Sequence, residues 1–144
     1  MTFEKIIEML GERLGIGLED AGGATAVEVD GETVILQDAG EHLLLRAEVG
    51  EIPPDAKEAI LSSAMEANFL YQGTGGATLA VNPADGKLHI HKYNWMERID
   101  ADSVLEAVDG LSSSAAAWRG ILADSGGGKS AAPAEAPTSH MILA

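Results

Sequence analysis

The 144-residue sequence contains no cysteine, little positive charge and no long hydrophobic run. Without cysteine the chain has no disulfide, no thiolate metal ligand and no cysteine nucleophile, which is typical of a reducing cytoplasm. With 9 basic against 23 acidic residues the formal net charge is -14, so the surface repels phosphate groups and we expect no nucleic-acid partner. No apolar run reaches the roughly 20 residues that cross a bilayer, and the glutamate-bearing N-terminus is unlike a secretory signal. These absences predict a cytoplasmic protein without a membrane segment.

The first half of the sequence predicts a helix followed by three strands, in a chain whose length fits one domain. Apolar residues recur at helical spacing from Phe3 to Leu14, with Thr2 placed to cap the helix and Gly15 to end it. A two-residue period then indicates an antiparallel meander. Its strands are expected at Val27–Val29, 32–37 and 41–49, with turns at Asp30-Gly31 and 38–40.

The second half predicts a helix, a hairpin and a last helix. Pro53-Pro54 introduces a helix that continues to about Tyr71, because proline suits the first turn of a helix. Strands at 77–82 and 87–93 flank a turn, and Asp100 is a good cap for the last helix. The apolar stripe of that helix is Val104, Val108, Leu111, Ala115, Trp118 and Leu122.

The order of these elements predicts an α+β fold with an antiparallel sheet at residues 1–124. Residues 125–144 are rich in Gly, Ala and Pro and are predicted to form a flexible tail.

Two strands carry uninterrupted apolar runs, Val34-Ile35-Leu36 and Leu43-Leu44-Leu45. A sheet that is covered on one face alternates apolar with polar residues, so a run places apolar side chains on both faces. Either another part of the molecule or a partner protein covers the second face. Trp95, just after the last strand, likewise covers the sheet edge or contacts a partner.

Some residues suggest chemistry at first sight. Residues 123–130 match a loose phosphate-binding loop, but that loop has to leave a strand and enter a helix, whereas here a helix precedes it. His89 and His91 lie two apart on a strand, and His42 is the only sensible third ligand for a zinc ion. Exposed strand histidines without a metal are commoner, and Ser112–Ser114 lack a nucleophile elbow. We therefore predict no catalytic residue, no cofactor and no metal, and a protein that is not an enzyme.

Several segments in a fixed order carry a family resemblance. They are Leu14-Gly15-Ile16, Ala67–Leu70 before the glycine-rich 73–76, Thr78–Val81 with Gly86–Leu88, and Ala117–Leu122. In order and spacing, over roughly residues 2–123, they resemble the class I type III secretion chaperones, the Tir chaperone (CesT-like) family.

The resemblance implies an ATP-independent chaperone that binds the N-terminal region of a secreted effector in the bacterial cytoplasm. The effector segment would lie extended in surface grooves or add a strand to the sheet. The resemblance also implies a homodimer formed through the second helix, and the secretion ATPase is a further candidate partner. The expected dimer-interface residues are Ile60, Leu61, Ala64, Met65 and Asn68. The expected client-binding residues are Ile7, Leu14, Ile35 and Leu44.

Other functions stay open at this point. A regulatory or adaptor domain of the same fold would bind a partner other than an effector. An enzyme or nucleotide-binding protein would use the loop Gly126–Ser130. A further hypothesis is that the apolar segment Met141–Leu143 occupies a client groove of its own dimer or of a neighbouring one.

Overall fold

The computed structural model describes residues 1–126, which form three α-helices and a five-stranded antiparallel sheet. The helices are α1 (Phe3–Leu14), α2 (Lys57–Asn68) and α3 (Ala101–Gly126). The strands are β1 (Ala24–Val29), β2 (Glu32–Ala39), β3 (His42–Gly50), β4 (Thr78–Val81) and β5 (Leu88–Trp95). Short 3-10 helices lie at Pro54–Ala56, Phe69–Tyr71 and Met96–Arg98. The predicted α+β order is confirmed, and the strand order β1-β2-β3-β5-β4 makes β1 and β4 the edges.

The chain divides into two compact units. The first contains residues 1–47 and 91–112, with α1, β1, β2 and most of β3 and β5. The second contains residues 48–90 and 113–126, with α2, β4 and the second half of α3. No helix in the described part of the chain is long and apolar enough to cross a bilayer.

In the first unit α1 begins and ends where the sequence predicts. The Thr2 side chain accepts a hydrogen bond from the Lys5 N–H, and Gly15 ends the helix in a left-handed conformation at φ 70°. Register fixes the faces of the meander, because β2 pairs with β3 through Leu36 opposite Leu45. The buried apolar residues of this unit include Phe3, Ile6, Leu10, Val27, Val34, Leu36, Leu43, Leu45, Val104 and Val108.

In the second unit the chain after α2 turns back against the helix. A Cβ on Gly73 would lie 2.5 Å from the Cβ of Ala67, so no larger residue fits there without displacement. The fully buried Trp118 donates from Nε1 to the Gly73 carbonyl at 3.2 Å, and Ser114 donates to the Thr74 carbonyl at 3.2 Å. These bonds tie the glycine-rich segment to α3.

The predicted cap and stripe of α3 are confirmed. The Ser103 N–H donates to Asp100 Oδ1 at 2.8 Å, and this backbone hydrogen bond lowers the pKa of the Asp100 carboxyl. All six predicted stripe residues are buried. The helix continues to Gly126, so the predicted boundary between residues 124 and 125 falls in its last turn. The rest of the predicted tail, residues 127–144 with the Met141–Leu143 segment, lies outside the described residues.

Candidate functional site

The sheet presents a second apolar face on β2 and β3. The register places Ile35 opposite Arg46 and Gln37 opposite Leu44, so Ile35 and Leu44 share a face. Their neighbours Leu36 and Leu45 point to the other face and are fully buried, whereas Ile35 and Leu44 are only half-buried. The consecutive apolar runs therefore place one set of side chains in the core and leave the other set partly in contact with solvent.

Three rings continue this face across β3 and β5. The His42 ring lies 4.1 Å from the Trp95 ring and 5.7 Å from the Tyr93 ring, measured between centroids. His42 and Leu44 are two apart on β3, so the rings lie on the same face as Leu44. Tyr93 is 55% exposed and Trp95 is 44% exposed. We define the open face as Ile35, His42, Leu44, Tyr93 and Trp95.

The sequence indicates Trp95 as a residue that covers the sheet edge or contacts a partner, and His42 only as a candidate metal ligand. It does not indicate that His42, Tyr93 and Trp95 lie together, because β3 pairs with β5, which lies far along the chain, and periodicity does not say which strands are neighbours. Arg46 and Gln37 lie on the same face, opposite Ile35 and Leu44, and Arg46 Nε donates to Gln37 Oε1 at 3.2 Å.

A small cavity of about 240 Å³ opens beside Tyr93 and Trp95. Its lining is Leu43, Tyr93, Asn94, Trp95, Arg98, Ile99, Ser103, Val104 and Ala107. The Asn94 Nδ2 is buried and has no hydrogen-bond partner among residues 1–126. Buried donors are nearly always paired in native proteins, so this amide is an exception that calls for an explanation.

A larger groove of about 480 Å³ runs along α1 and the chain that follows it. Ile7 lines it together with Ile16 and Leu18, and Ile16 is exposed. The Ile16 N–H donates to the Gly11 carbonyl at 3.0 Å, and a Cβ on Gly11 would lie 2.8 Å from the Ile16 carbonyl oxygen. The absence of a side chain at this position therefore lets the chain pass close to the helix.

The rim of this groove is acidic. Glu4, Glu8 and Glu12 line it at intervals of one helical turn, about 6 Å apart along the axis. Of the three, Glu8 lies 3.6 Å from the Lys5 ammonium, and within residues 1–126 no ion pair is recorded for the other two. Leu14, which was predicted with Ile7 to bind the client, is half-buried and does not line the groove.

α2 places the residues predicted for a dimer interface on different faces. Ile60 and Ala64 are buried within the chain itself, so they are not available to a second copy. Leu61 is half-buried, and Met65 is 71% exposed. Of the five predicted residues, Met65 is therefore the most exposed.

Asn68 has a role within the chain. Its Nδ2 donates to the Leu79 carbonyl at 3.0 Å, and the Leu79 N–H donates to its Oδ1 at 2.9 Å. Leu79 lies on the edge strand β4, so the amide occupies backbone groups that an added strand would otherwise use.

The end of α2 carries a cluster of exposed apolar side chains, which we call the α2 patch: Met65, Phe69, Leu70 and Tyr71. Each is more than half exposed. Leu70 and Tyr71 have φ angles of 54° and 59°, in the left-handed region that residues other than glycine seldom adopt. Exposed apolar groups on a strained backbone are typical of an interaction surface.

The histidines do not form the zinc site considered from the sequence. His89 Nε2 lies 3.1 Å from Asp85 Oδ2, whereas the His42 ring stacks on Trp95 and the His91 ring contacts Tyr93. A hydrogen bond from the Lys87 N–H lowers the pKa of the Asp85 carboxyl, and the contact with His89 acts in the same direction.

His89 and Asp85 also form a cluster with Glu48, whose ligand atoms lie within 4.8 Å of one another. The Lys87 ammonium lies 3.5 Å from the Glu48 carboxylate. It therefore already supplies a positive charge at that carboxylate.

The motif at 123–130 begins inside α3. Residues 123–126 form the C-terminal end of the helix, where the exposed carbonyl groups disfavour an anion. Residues 127–130 lie outside the described residues. Of the three serines considered, Ser112 donates to the Val29 carbonyl at 3.1 Å and Ser114 to that of Thr74.

Comparisons with known proteins place the fold. No curated protein matches the sequence. The HopA1-SchA chaperone-effector complex contains a chain of similar fold, with a TM-score of 0.67 and 17% identity over 82% of this chain and 93% of that one. The ExoU-SpcU complex from the type III secretion system of Pseudomonas aeruginosa contains a chain with a TM-score of 0.68 and 17% identity, over 81% of this chain and 97% of that one. YbjN from E. coli has a TM-score of 0.57 and 15% identity, over 80% of this chain and 89% of its own. The family model of the Tir chaperone protein (CesT) family matches residues 5–119, and the chain belongs to that family.

Proposed function

We propose that this chain is an ATP-independent chaperone in the bacterial cytoplasm, which binds the N-terminal region of a type III secretion effector and keeps it competent for secretion. The observation that carries the proposal is the open face, an apolar and aromatic surface outside the core of the sheet. Family membership supports it, as does the similarity in fold to chains of a chaperone-effector complex and of a type III secretion complex.

Holding a client in this way needs no energy source. An extended segment that lies across the open face buries its own apolar side chains against Leu44 and Trp95. A fully buried aliphatic or aromatic side chain contributes roughly 1.5–3 kcal/mol, so several such contacts together offset the cost of association and of ordering the segment. The rings of Tyr93 and Trp95 add large contact area at a small cost in conformational entropy.

The α1 groove is a second contact for the same client. Its floor is apolar and its rim carries Glu4, Glu8 and Glu12, so it favours a segment with basic residues beside apolar ones. The net charge of -14 steers such a segment toward the protein from a distance.

The active form in this proposal is a homodimer that covers the α2 patch. Met65 and Phe69 lie on the exposed side of the end of α2, and a two-fold axis there would bring each patch against its copy. A contact with the secretion ATPase belongs to the same proposal.

Co-purification with the client tests the proposal. The chain is co-expressed with an effector encoded beside its gene, either complete or without its N-terminal region, and complexes are isolated in buffer without nucleotide. We expect a soluble complex with the complete effector and none with the truncated one. Equal recovery of both, or a complex that requires ATP, would contradict the proposal.

The alternative is a regulatory or adaptor domain of the same fold, and the similarity in fold to YbjN is the observation that favours it. The two functions differ in the fate of the partner. A partner that the type III apparatus exports supports the chaperone, and a partner that stays inside the cell supports the adaptor.

A further inference from the structure

A cluster of three side chains with metal-ligating atoms lies beside the turn between β4 and β5, in the second unit. Glu48 comes from β3, Asp85 from the turn and His89 from β5, and their ligand atoms lie within 4.8 Å of one another. His89 Nε2 and Asp85 Oδ2 are 3.1 Å apart. Two ligand atoms bound to one ion at about 2.1 Å, with angles of about 90–110°, are about 3.0–3.4 Å apart. This pair therefore already has the spacing of neighbouring metal ligands.

The backbone of the turn holds the Asp85 carboxylate in place. The Lys87 N–H donates to Asp85 Oδ1 at 2.9 Å, while Oδ2 is the oxygen nearer to His89 Nε2. Gly86 adopts a left-handed conformation at φ 71°, and its N–H donates to the Asn82 carbonyl at 2.7 Å, which closes the turn. Hydrogen bonds from the surrounding chain orient a metal ligand before the ion arrives, so little rearrangement is needed on binding.

The three side chains supply one imidazole nitrogen and two carboxylates. Imidazole suits zinc and the later transition metals, whereas magnesium and calcium prefer oxygen ligands alone, so this set favours an ion of the zinc type. The His89 side chain is only 13% exposed, so the neighbouring chain restricts its ring. Glu48 and Asp85 are more exposed, which leaves the remaining positions around an ion to water. Three protein ligands with an open position are a known arrangement for zinc.

We propose that Glu48, Asp85 and His89 bind a divalent cation of the zinc type, which links the turn between β4 and β5 to β3. The ion replaces the Lys87 ammonium, which lies 3.5 Å from the Glu48 carboxylate in a partly exposed ion pair. Such a pair contributes little to stability, and a doubly charged ion that contacts two carboxylates gains more than an ammonium that contacts one. His89 binds through Nε2, and its neutral ring then carries the proton on Nδ1. The site shares only His89 with the set of histidines considered from the sequence.

Titration of the full-length, ¹⁵N-labelled protein with zinc chloride tests the site directly. The titration is followed by calorimetry and by the nuclear magnetic resonance signals of the histidine rings, at pH 7 and about 0.15 M sodium chloride, so that weak surface binding is screened. We expect one ion per chain, with saturable shifts of the His89 ring signals and unchanged signals for His42 and His91. The melting temperature should rise with zinc, because the ion binds the folded chain. A tenfold excess of magnesium should not displace it.

Two pairs of variants assign the ligands. We expect His89→Gln and Glu48→Gln to bind zinc at least about tenfold more weakly than the native chain and to lose the rise in melting temperature. The matched controls are His91→Gln, which changes the next histidine on β5, and Glu51→Gln, which removes an exposed carboxylate just after β3. Both controls should bind zinc with unchanged affinity. Glu48 is exposed, so Glu48→Gln reports on binding even if His89→Gln lowers the stability of the fold.

Lys87→Ala tests whether the ion and the ammonium compete. The substitution leaves the Lys87 backbone N–H on Asp85 in place and removes only the side-chain charge beside Glu48. Because an exposed ion pair of this kind is weak, we expect zinc binding to tighten by about two- to fivefold. Unchanged or weaker binding in this variant would overturn the proposal. So would several weakly bound ions per chain whose affinity is the same in His89→Gln, since that is the behaviour of an acidic surface without a built site.

Discussion

The side chain of Asn68 gives a prediction about the stability of the edge strand β4. Its amide pairs with both backbone groups of Leu79 on the edge strand β4, one as donor and one as acceptor. It therefore acts like a short piece of neighbouring strand. Replacing Asn68 with Ala removes two hydrogen bonds, each worth about 0.5–1.5 kcal/mol, so we expect the free energy of unfolding to fall by about 1–3 kcal/mol.

Asn68→Asp tests the donor separately. At neutral pH the new carboxylate still accepts from the Leu79 N–H, but its second oxygen faces the Leu79 carbonyl without a proton, so we expect a loss at least as large as that of Asn68→Ala. When protonated, the carboxyl group donates to that carbonyl, so the fold raises its pKa above the usual value of about 3.9. The folded state then binds the proton more readily than the unfolded state, and the loss shrinks as pH falls.

Urea unfolding followed by tryptophan fluorescence measures these differences. The measurements run from pH 8 to 5.5, above the sequence pI of about 4.4, and at two protein concentrations to separate folding from association. Asn82→Asp is the matched control. The Asn82 side chain uses its acceptor alone, because Oδ1 accepts from the Ala84 N–H at 2.9 Å, and a carboxylate can replace it in that bond. If Asn68→Asp were as stable as the native chain at pH 8, or if its deficit grew as pH fell, the assigned pairing would be wrong.

Three further predictions concern packing, assembly and charge. Gly73→Ala forces a Cβ against Ala67 and should cost about 1–3 kcal/mol in the free energy of unfolding by urea titration, whereas Gly120→Ala, with open space around it, should cost nothing. Phe69→Glu should give a folded monomer in light scattering at micromolar concentration. Ala64→Glu should lower the melting temperature more than Phe69→Glu does, because Ala64 is buried within the chain and the new charge is unpaired there. Changing Glu4, Glu8 and Glu12 together to Gln should weaken client binding and reduce its salt dependence, measured by calorimetry. The control is the same change at three exposed glutamates outside the groove, which should leave both quantities unchanged: Glu58, Glu66 and Glu97. A dimer that persists in Phe69→Glu, or equal effects of the two glutamate sets, would refute the corresponding assignment.

The order of helices and strands was predictable because each element carries its own signal. Thr2 and Gly15 bound α1, and Asp100 caps α3, through bonds between residues close in sequence. The presence of apolar side chains on both faces of β2 was also predictable, because successive residues of a strand, such as Ile35 and Leu36, point to opposite faces whatever covers them. Local patterns of this kind need no knowledge of distant neighbours.

Which residues come together in the candidate site depends on contacts between segments that are far apart in the sequence. His42 contacts Trp95 only because β3 pairs with β5, and Asn68 meets Leu79 only because the chain turns back after α2. The same return path buries Ala67 against Gly73, a contact that no local pattern indicates. Periodicity shows which residues are apolar on a face, but not which segment covers them.

Binding of an effector's N-terminal segment by calorimetry, without nucleotide, tests the central claim most directly. The variants are Leu44→Glu and Trp95→Ala on the open face, and Ala116→Glu on the exposed side of α3 as the matched control. Losing one well-buried apolar contact costs more than about 1.4 kcal/mol, so we predict at least about tenfold weaker binding for each open-face variant and unchanged binding for Ala116→Glu. Equal affinities in all three folded variants would contradict the assignment of the open face as the client surface.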